Sequence, residues 1–434
     1  MQRISTLYGV FHFGEPRVSQ MFNVYFDLVN ERFAYPPDFE EDVAYIPLAH
    51  LFSPREFLQD QQRLIGMSDS EALIDRTIKI HSVFQEYMVP LVTIESRTVN
   101  DVVQIFERVN STGMSLSSVD FMRAVTWSEN FDLNHEITTV IENLEDKGFQ
   151  FDDETVVKVM AVILEREPTP NSMLTLRQCS YRELHAAIAK TEETLTRVVQ
   201  MLRAQLNVGS ADYIPYQGQV LVLSKMLSSG YEAEAADLGM RWFLAAGLNE
   251  ALRGKPDNYL VRVMNAAAPS DPGRSPSLDI RLALDPGILV SRRFIRMRAL
   301  SAAIATLFSI NHARSIFTGD IIAPETYMSE FTSKPFVPIW DYDSLQTTIG
   351  EVSSSKLIPN MLLVSEDDEI ELKKSSPLRA LVSIRERLGN RADQVLVSQF
   401  ISDDSLKHLA RPDPALFLFE RSDIMLTAAG SFLS

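Results

Sequence analysis

Residues 100–123 read NDVVQIFERVNSTGMSLSSVDFMR, and the rest of the chain is organised around them. Val102, Val103, Phe106 and Val109 recur at helical spacing, which gives the first segment a single apolar face and leaves Gln104, Glu107 and Arg108 outside it. Asn110, Ser111, Thr112 and Gly113 then break the pattern. Glycine takes positive φ at little cost, and an asparagine at a helix end can cap it or turn its amide into a cleft. Ser117 with Asp120 three residues on has the spacing that opens a second helix, whose apolar face carries Phe121 and Val125. By local rules alone this is a capped junction between two helices.

Working outward, residues 22–28, FNVYFDL, alternate at period two, and RFAY can return as the second strand of a hairpin. YIPLAHLF at 45–52 is a third short strand that Pro47 confines to an edge. From about Asp69 the signal turns helical. SDSEALIDRTIKIHSVFQEYM reads as one helix ending before Pro90, followed by an extended VTIE. Asp152 and Asp153 are positioned to cap a nearly all-apolar helix, VVKVMAVILE, that must be buried on several sides. Ser180 and Glu183 form a capping-box pattern that launches a long amphipathic helix toward Leu206. YIPYQGQVLVLSKML and DLGMRWFLAAGLNEAL continue in the same manner, with Trp242 as a core anchor. APSDPGRSPS at 268–277 is the best linker. Beyond it SRRFIRMRALSAAIATLF reads as one helix with arginines at its start. A less regular region follows, with an extended MLLV and an acidic run, SEDDEIE, expected as a solvated loop. Two helical patterns, LRALVSIRERL and PALFLFERSDIMLTAAG, close the chain.

With 434 residues, 45% hydrophobic and 23% charged, the composition is globular and allows two or three domains. A formal charge of -17 opposes nonspecific binding to nucleic acid over most of the surface, so a DNA contact must be local. Arg292, Arg293 and Arg296 form such a local basic patch for phosphates. The single cysteine, Cys179, excludes an intramolecular disulfide framework. No run approaches the roughly 20 apolar residues of a membrane helix, so a soluble, cytoplasmic protein without a membrane partner is expected. His12, His50, His81, His135, His185, His312 and His408 are scattered and form no metal-binding spacing, and neither a P-loop nor a dinucleotide fingerprint is present.

FERVNSTGMSLSSVDFMRA resembles the Phe-x-x-x-Asn-x-x-Gly segment in the N-terminal, ParB/sulfiredoxin-like domain of the GmrSD-type restriction endonuclease family. MQRISTLYGVF looks like the tail of the family's Asp-Gly-Gln-Gln-Arg motif, with Gln2 and Arg3 matching its end and the Asp-Gly absent. The resemblance implies binding of a nucleoside triphosphate with Mg²⁺ at Gln2, Arg3, Glu107, Arg108, Asn110 and Gly113, in defence against modified foreign DNA. It also makes Met1 an internal methionine of a longer domain. ARSIFTGDIIAPETYMSEF and PIWDYDSL are similar to the family's HNH-like nuclease region, with Pro338 where the catalytic histidine stands. Proline offers neither a general base nor a metal ligand.

The expected fold is mostly α with small β elements. It comprises a partial ParB/sulfiredoxin-like domain at 1–130, a helical extension at 131–267 and a helical region with a degenerate HNH-like module at 278–434. The expected function is a GmrSD-like defence protein with nuclease activity lost and with DNA, a protein partner or a second copy as candidate partners. The alternatives are a noncatalytic helical interaction protein and an active nuclease whose metal ligands have moved to the acidic run.

Overall fold

The computed structural model describes residues 24–34, 44–87, 131–169, 172, 174–271, 273–330, 335–350, 354–411 and 413–434. The fold is mostly α-helical with two small antiparallel sheets. The chain divides into two compact units, Met1–Leu116 and Ser117–Ser434. The stretch 100–123, the segment MQRISTLYGVF and the extended VTIE lie outside the described residues.

In the first unit β1 (Tyr25–Asp27) pairs antiparallel with β2 (Arg32–Ala34) and with β3 (Tyr45–Pro47), in the order β2-β1-β3. The expected hairpin and the edge position of the proline-bearing strand are both present. Asp27 sets the turn. Its buried carboxylate accepts hydrogen bonds from the backbone N–H groups of Val29 at 3.0 Å and Asn30 at 2.8 Å, from the Asn30 amide at 2.8 Å and from Arg32 Nε at 3.3 Å. Burial alone would raise the Asp27 pKa, but these donors outweigh it and hold the carboxyl below its usual range. Helices α1 (Pro54–Leu64) and α2 (Ser70–Glu86) cover the sheet. Their Leu64 and Leu73 join Leu28, Ile46, Leu48 and Leu51 in a small core. Arg76 of α2 donates to the Leu28 carbonyl at 2.6 Å and so ties helix to hairpin.

The second unit is a helical body with a smaller module at its C-terminal end. Its first helices are α3 (Leu133–Glu145), α4 (Asp153–Ile163), α5 (Tyr181–Leu206) and α6 (Gln217–Ser228). α4 and α5 start where the sequence signals them: Asp152 accepts from Thr155 N–H at 2.7 Å, and Ser180 with Glu183 forms the reciprocal capping box. Val156, Val157, Val159, Met160, Ala161 and Val162 of α4 are all buried, as an apolar circumference requires. A π-turn at Ala235–Gly239 leads into α7 (Met240–Leu248), whose Trp242 is buried. α8 (Asp257–Ala267) packs on α6, and α9 (Ala299–Ile310) packs on α7. Gly247 lies where these last two meet: a Cβ there would come within 2.7 Å of Pro215 Cγ and 2.9 Å of Ala303 Cβ.

The smaller module holds β4 (Phe336–Pro338), α10 (Tyr342–Ile349), β5 (Met361–Leu363), α11 (Glu366–Leu372), α12 (Pro377–Val382), α13 (Ile384–Leu388), α14 (Ala392–Ser398) and α15 (Asp403–Ala410), closed by α16 (Pro414–Leu433). β4 and β5 pair antiparallel and form the wall between two hydrophobic cores. Met361 and Leu363 enter the main core and Leu362 and Val364 the smaller one, because successive strand side chains point to opposite faces. α16 spans both, with Phe417 and Leu418 in the smaller core and Met425, Ala429 and Leu433 in the main one.

Three local expectations change. Residues 291–308 are not one helix: α9 begins only at Ala299. Residues 292–294 form an antiparallel bridge with the segment before β5, in which Phe294 N–H donates to Lys356 O at 2.7 Å and Ile358 N–H to Arg292 O at 2.8 Å. The acidic run is α11 rather than a loop, because Ser365 and Asp368 cap each other's backbone. LRALVSIRERL breaks at Ser383 into α12 and α13. The interval 268–277 lies within the second unit, and the main core takes residues from both sides of it. Among the described residues no helix is long and apolar enough to cross a membrane.

Candidate functional site

Gln2, Arg3, Glu107, Arg108, Asn110 and Gly113, the positions matched to a nucleotide site, lie outside the described residues. The arginine patch is described. Arg292 Nη2 donates to Glu250 Oε2 at 2.5 Å, Arg296 stands 3.9 Å from Glu330, and Arg293 is exposed in the bridge to Leu357. The patch is therefore spread along an irregular connector, with two of its three cations beside carboxylates.

Pro338 is the last residue of β4, half-buried and opposite Met361. In chain order β4 is followed by α10, by β5 antiparallel to β4 and by α11. Three buried polar side chains hold this wall in place. Asn360 donates to Trp340 O at 2.9 Å and Ser355 O at 2.7 Å and accepts from Trp340 N–H at 3.1 Å. Gln399 donates to Arg314 O and Leu363 O and accepts from Leu363 N–H. Arg421, fully buried on α16, donates through Nε and Nη2 to Gln399 O and through Nη1 to Pro359 O at 2.8 Å. Gln399 follows the last turn of α14, so the guanidinium sits at the negative end of that helix. Burial pushes its pKa down from the ordinary arginine range, since no carboxylate accompanies it.

Asp368, the buried carboxylate of the acidic run, accepts from Ser315 Oγ at 2.5 Å and from Ser365 N–H at 3.0 Å. Its oxygens are engaged in joining α11 to the loop at 315–318. Among the described residues no group of three or more His, Cys, Asp or Glu side chains is placed to hold a metal ion.

A cavity of 910 Å³ in the second unit opens at the N-termini of α4, α6 and α9. Asp152, Asp153, Glu154, Asp212, Tyr216 and Arg298 line it. Asp152 caps α4, and Glu154 pairs with Lys158 at 2.7 Å. Arg298 is exposed, and its guanidinium has no hydrogen-bond or ion-pair partner among the described residues. Burial, reinforced by Glu250, pushes the Tyr216 hydroxyl up to about 12, so it stays protonated as a donor at neutral pH. The lining carries four carboxylates, one guanidinium and a phenolic hydroxyl. A second cavity of 800 Å³ lies at the other ends of α4 and α6, so these two helices run in the same direction.

Sequence reasoning found the α4 cap but missed Asn360, Gln399 and Arg421. A signal existed for the last. Phe417, Leu418, Met425 and Leu426 mark the buried stripe of α16, and Arg421 with Ser422 falls on that same stripe. Comparison of the chain with protein-family models and with curated proteins gives no match.

Proposed function

We propose that the chain is a GmrSD-like protein of prokaryotic defence whose C-terminal module keeps an HNH-like scaffold and has lost its cutting centre. The observation that carries this reading is Pro338. It stands on the first strand of the antiparallel β4–β5 pair, with α10 between the strands and α11 after them, at the position that the sequence resemblance gives to the catalytic histidine. A proline there supplies neither the base that activates water nor a nitrogen for a metal. The module then serves to bind DNA or a partner. The nucleotide function belongs to the first unit, where Arg3 and Arg108 hold phosphate oxygens and Asn110 with the backbone at Gly113 cradles base or phosphate.

Calorimetry tests the nucleotide half. Titration with ATP and GTP in the presence of Mg²⁺ is expected to give binding that disappears in Arg3→Ala and Asn110→Ala at unchanged melting temperature. Binding of neither nucleotide by the wild-type chain would sink this half of the reading.

The 910 Å³ cavity favours a second reading, a noncatalytic binding protein for a small cationic or hydroxylated ligand. Spermidine is a suitable probe. A melting temperature raised by spermidine in wild type and unmoved in Asp212→Asn supports it, and no shift in wild type counts against it.

A further inference from the structure

Residues 276–285 form an extended strap that belongs to no sheet. Burial alternates along it: Leu278, Ile280, Leu282 and Leu284 are half-buried against the main core, whereas Ser277, Asp279, Arg281, Ala283 and Asp285 are exposed. This is the pattern of a β-strand covered on one face. One backbone edge is occupied. Ser277 N–H donates to Ala266 O at 2.8 Å, Asn249 Nδ2 donates to Arg281 O at 2.7 Å, and Ala283 N–H donates to Asn249 Oδ1 at 2.8 Å. The Asn249 amide thus takes the place of a neighbouring strand. Successive peptide groups of an extended chain point to opposite edges, so the N–H and C=O groups of Leu278, Ile280, Leu282 and Leu284 share the other one. Among the described residues none of these groups has a hydrogen bond.

We propose that this edge pairs antiparallel with the same strap of a second copy of the chain, centred on Ile280. In that register Leu278 stands opposite the second copy's Leu282, and about six main-chain hydrogen bonds form from groups now without partners. The exposed face decides the register. Centring on Ile280 places Asp279 opposite the second copy's Arg281, twice by symmetry. A slip to Asp279 or Arg281 opposes like charges, and a slip to Leu282 sets Asp279 against Asp285. In the single chain Arg281 already reaches Asp279 with Nη2 at 2.8 Å and Nε at 2.9 Å. That contact holds the Asp279 carboxyl at about 2, so both groups are charged at neutral pH. The pairing is isologous and closes the edge, so it ends at a dimer rather than a fibre.

Sedimentation velocity of the full chain across a concentration series at low salt tests this. A reversible dimer is expected. Asp279→Arg and Arg281→Asp should each weaken it about tenfold or more, because two opposite-charge pairs become like-charge pairs. The double variant Asp279→Arg/Arg281→Asp, with the charges exchanged, should regain it. Both side chains are solvent-exposed, at 63% and 88%, so melting temperatures should not move. A chain that stays monomeric throughout overturns the proposal. So does a dimer indifferent to both single reversals, which would place its contact elsewhere.

Discussion

Two hydrophobic cores flank the β4–β5 wall, and long-range polar contacts frame them to different degrees. The main core is built chiefly from helices: α5 presents apolar residues at helical spacing, α4 and α6 are buried on most sides, and Gln219 and Tyr213 add buried hydrogen bonds to Phe243 O and Tyr327 O. The smaller core is filled with similar side chains, but its frame depends on Asn360, Gln399, Arg421 and Asp368, each bonded to backbone or side-chain groups far away in sequence. A buried polar group is costly unless every bond is made, so such a frame is stiff when complete and fails abruptly when one member is removed. None of these clamps includes Pro338.

The largest expected effect lies in the smaller core. Arg421→Met leaves the carbonyls of Gln399 and Pro359 buried without donors and should cost about 3 kcal/mol or more in chemical denaturation. A loss below about 1 kcal/mol would remove the distinction between the two cores. In the main core a weak point of another kind is a close approach. Gly247→Val should cost about 2 kcal/mol through overpacking against Pro215 and Ala303, with no pH dependence.

Asp27 extends the comparison to the first unit, whose hairpin is also organised by a buried carboxylate. Its pKa is lowered in the folded state, so its stabilisation is present above the unfolded value near 4 and is lost as pH falls through the folded value. Asp27→Asn should therefore lower stability by about 1–2 kcal/mol at neutral pH and by progressively less in acid, read from denaturation midpoints at several pH values. An equal loss at every pH would assign the effect to geometry instead of charge. The smallest effect belongs to a local device: Ser180→Ala should cost about 1 kcal/mol by removing the cap of α5.

The same contrast governs how much was legible from sequence. Helical stripes, the 25–34 hairpin and the caps at Asp152 and Ser180 are encoded within a few residues of where they act, and they appear as read. The connector at 290–298 misleads because its arginines sit ahead of an apolar run, while the backbone is diverted by pairing with residues 356–358, more than sixty positions on. The strap at 276–285 has a strand's alternation but no strand beside it, since Asn249 satisfies its inner edge. Arg421 was hidden within an apolar helix for a related reason: its partners are carbonyls, which leave no mark in side-chain composition. The positions matched to a nucleotide site rest on resemblance, and they lie outside the described residues.

Incubation of the purified chain with supercoiled plasmid and Mg²⁺ or Mn²⁺ tests the central claim most directly. The account predicts intact plasmid with both metals, from a protein whose β4–β5 module is folded. Metal-dependent cutting that survives unchanged in Pro338→Ala would contradict it.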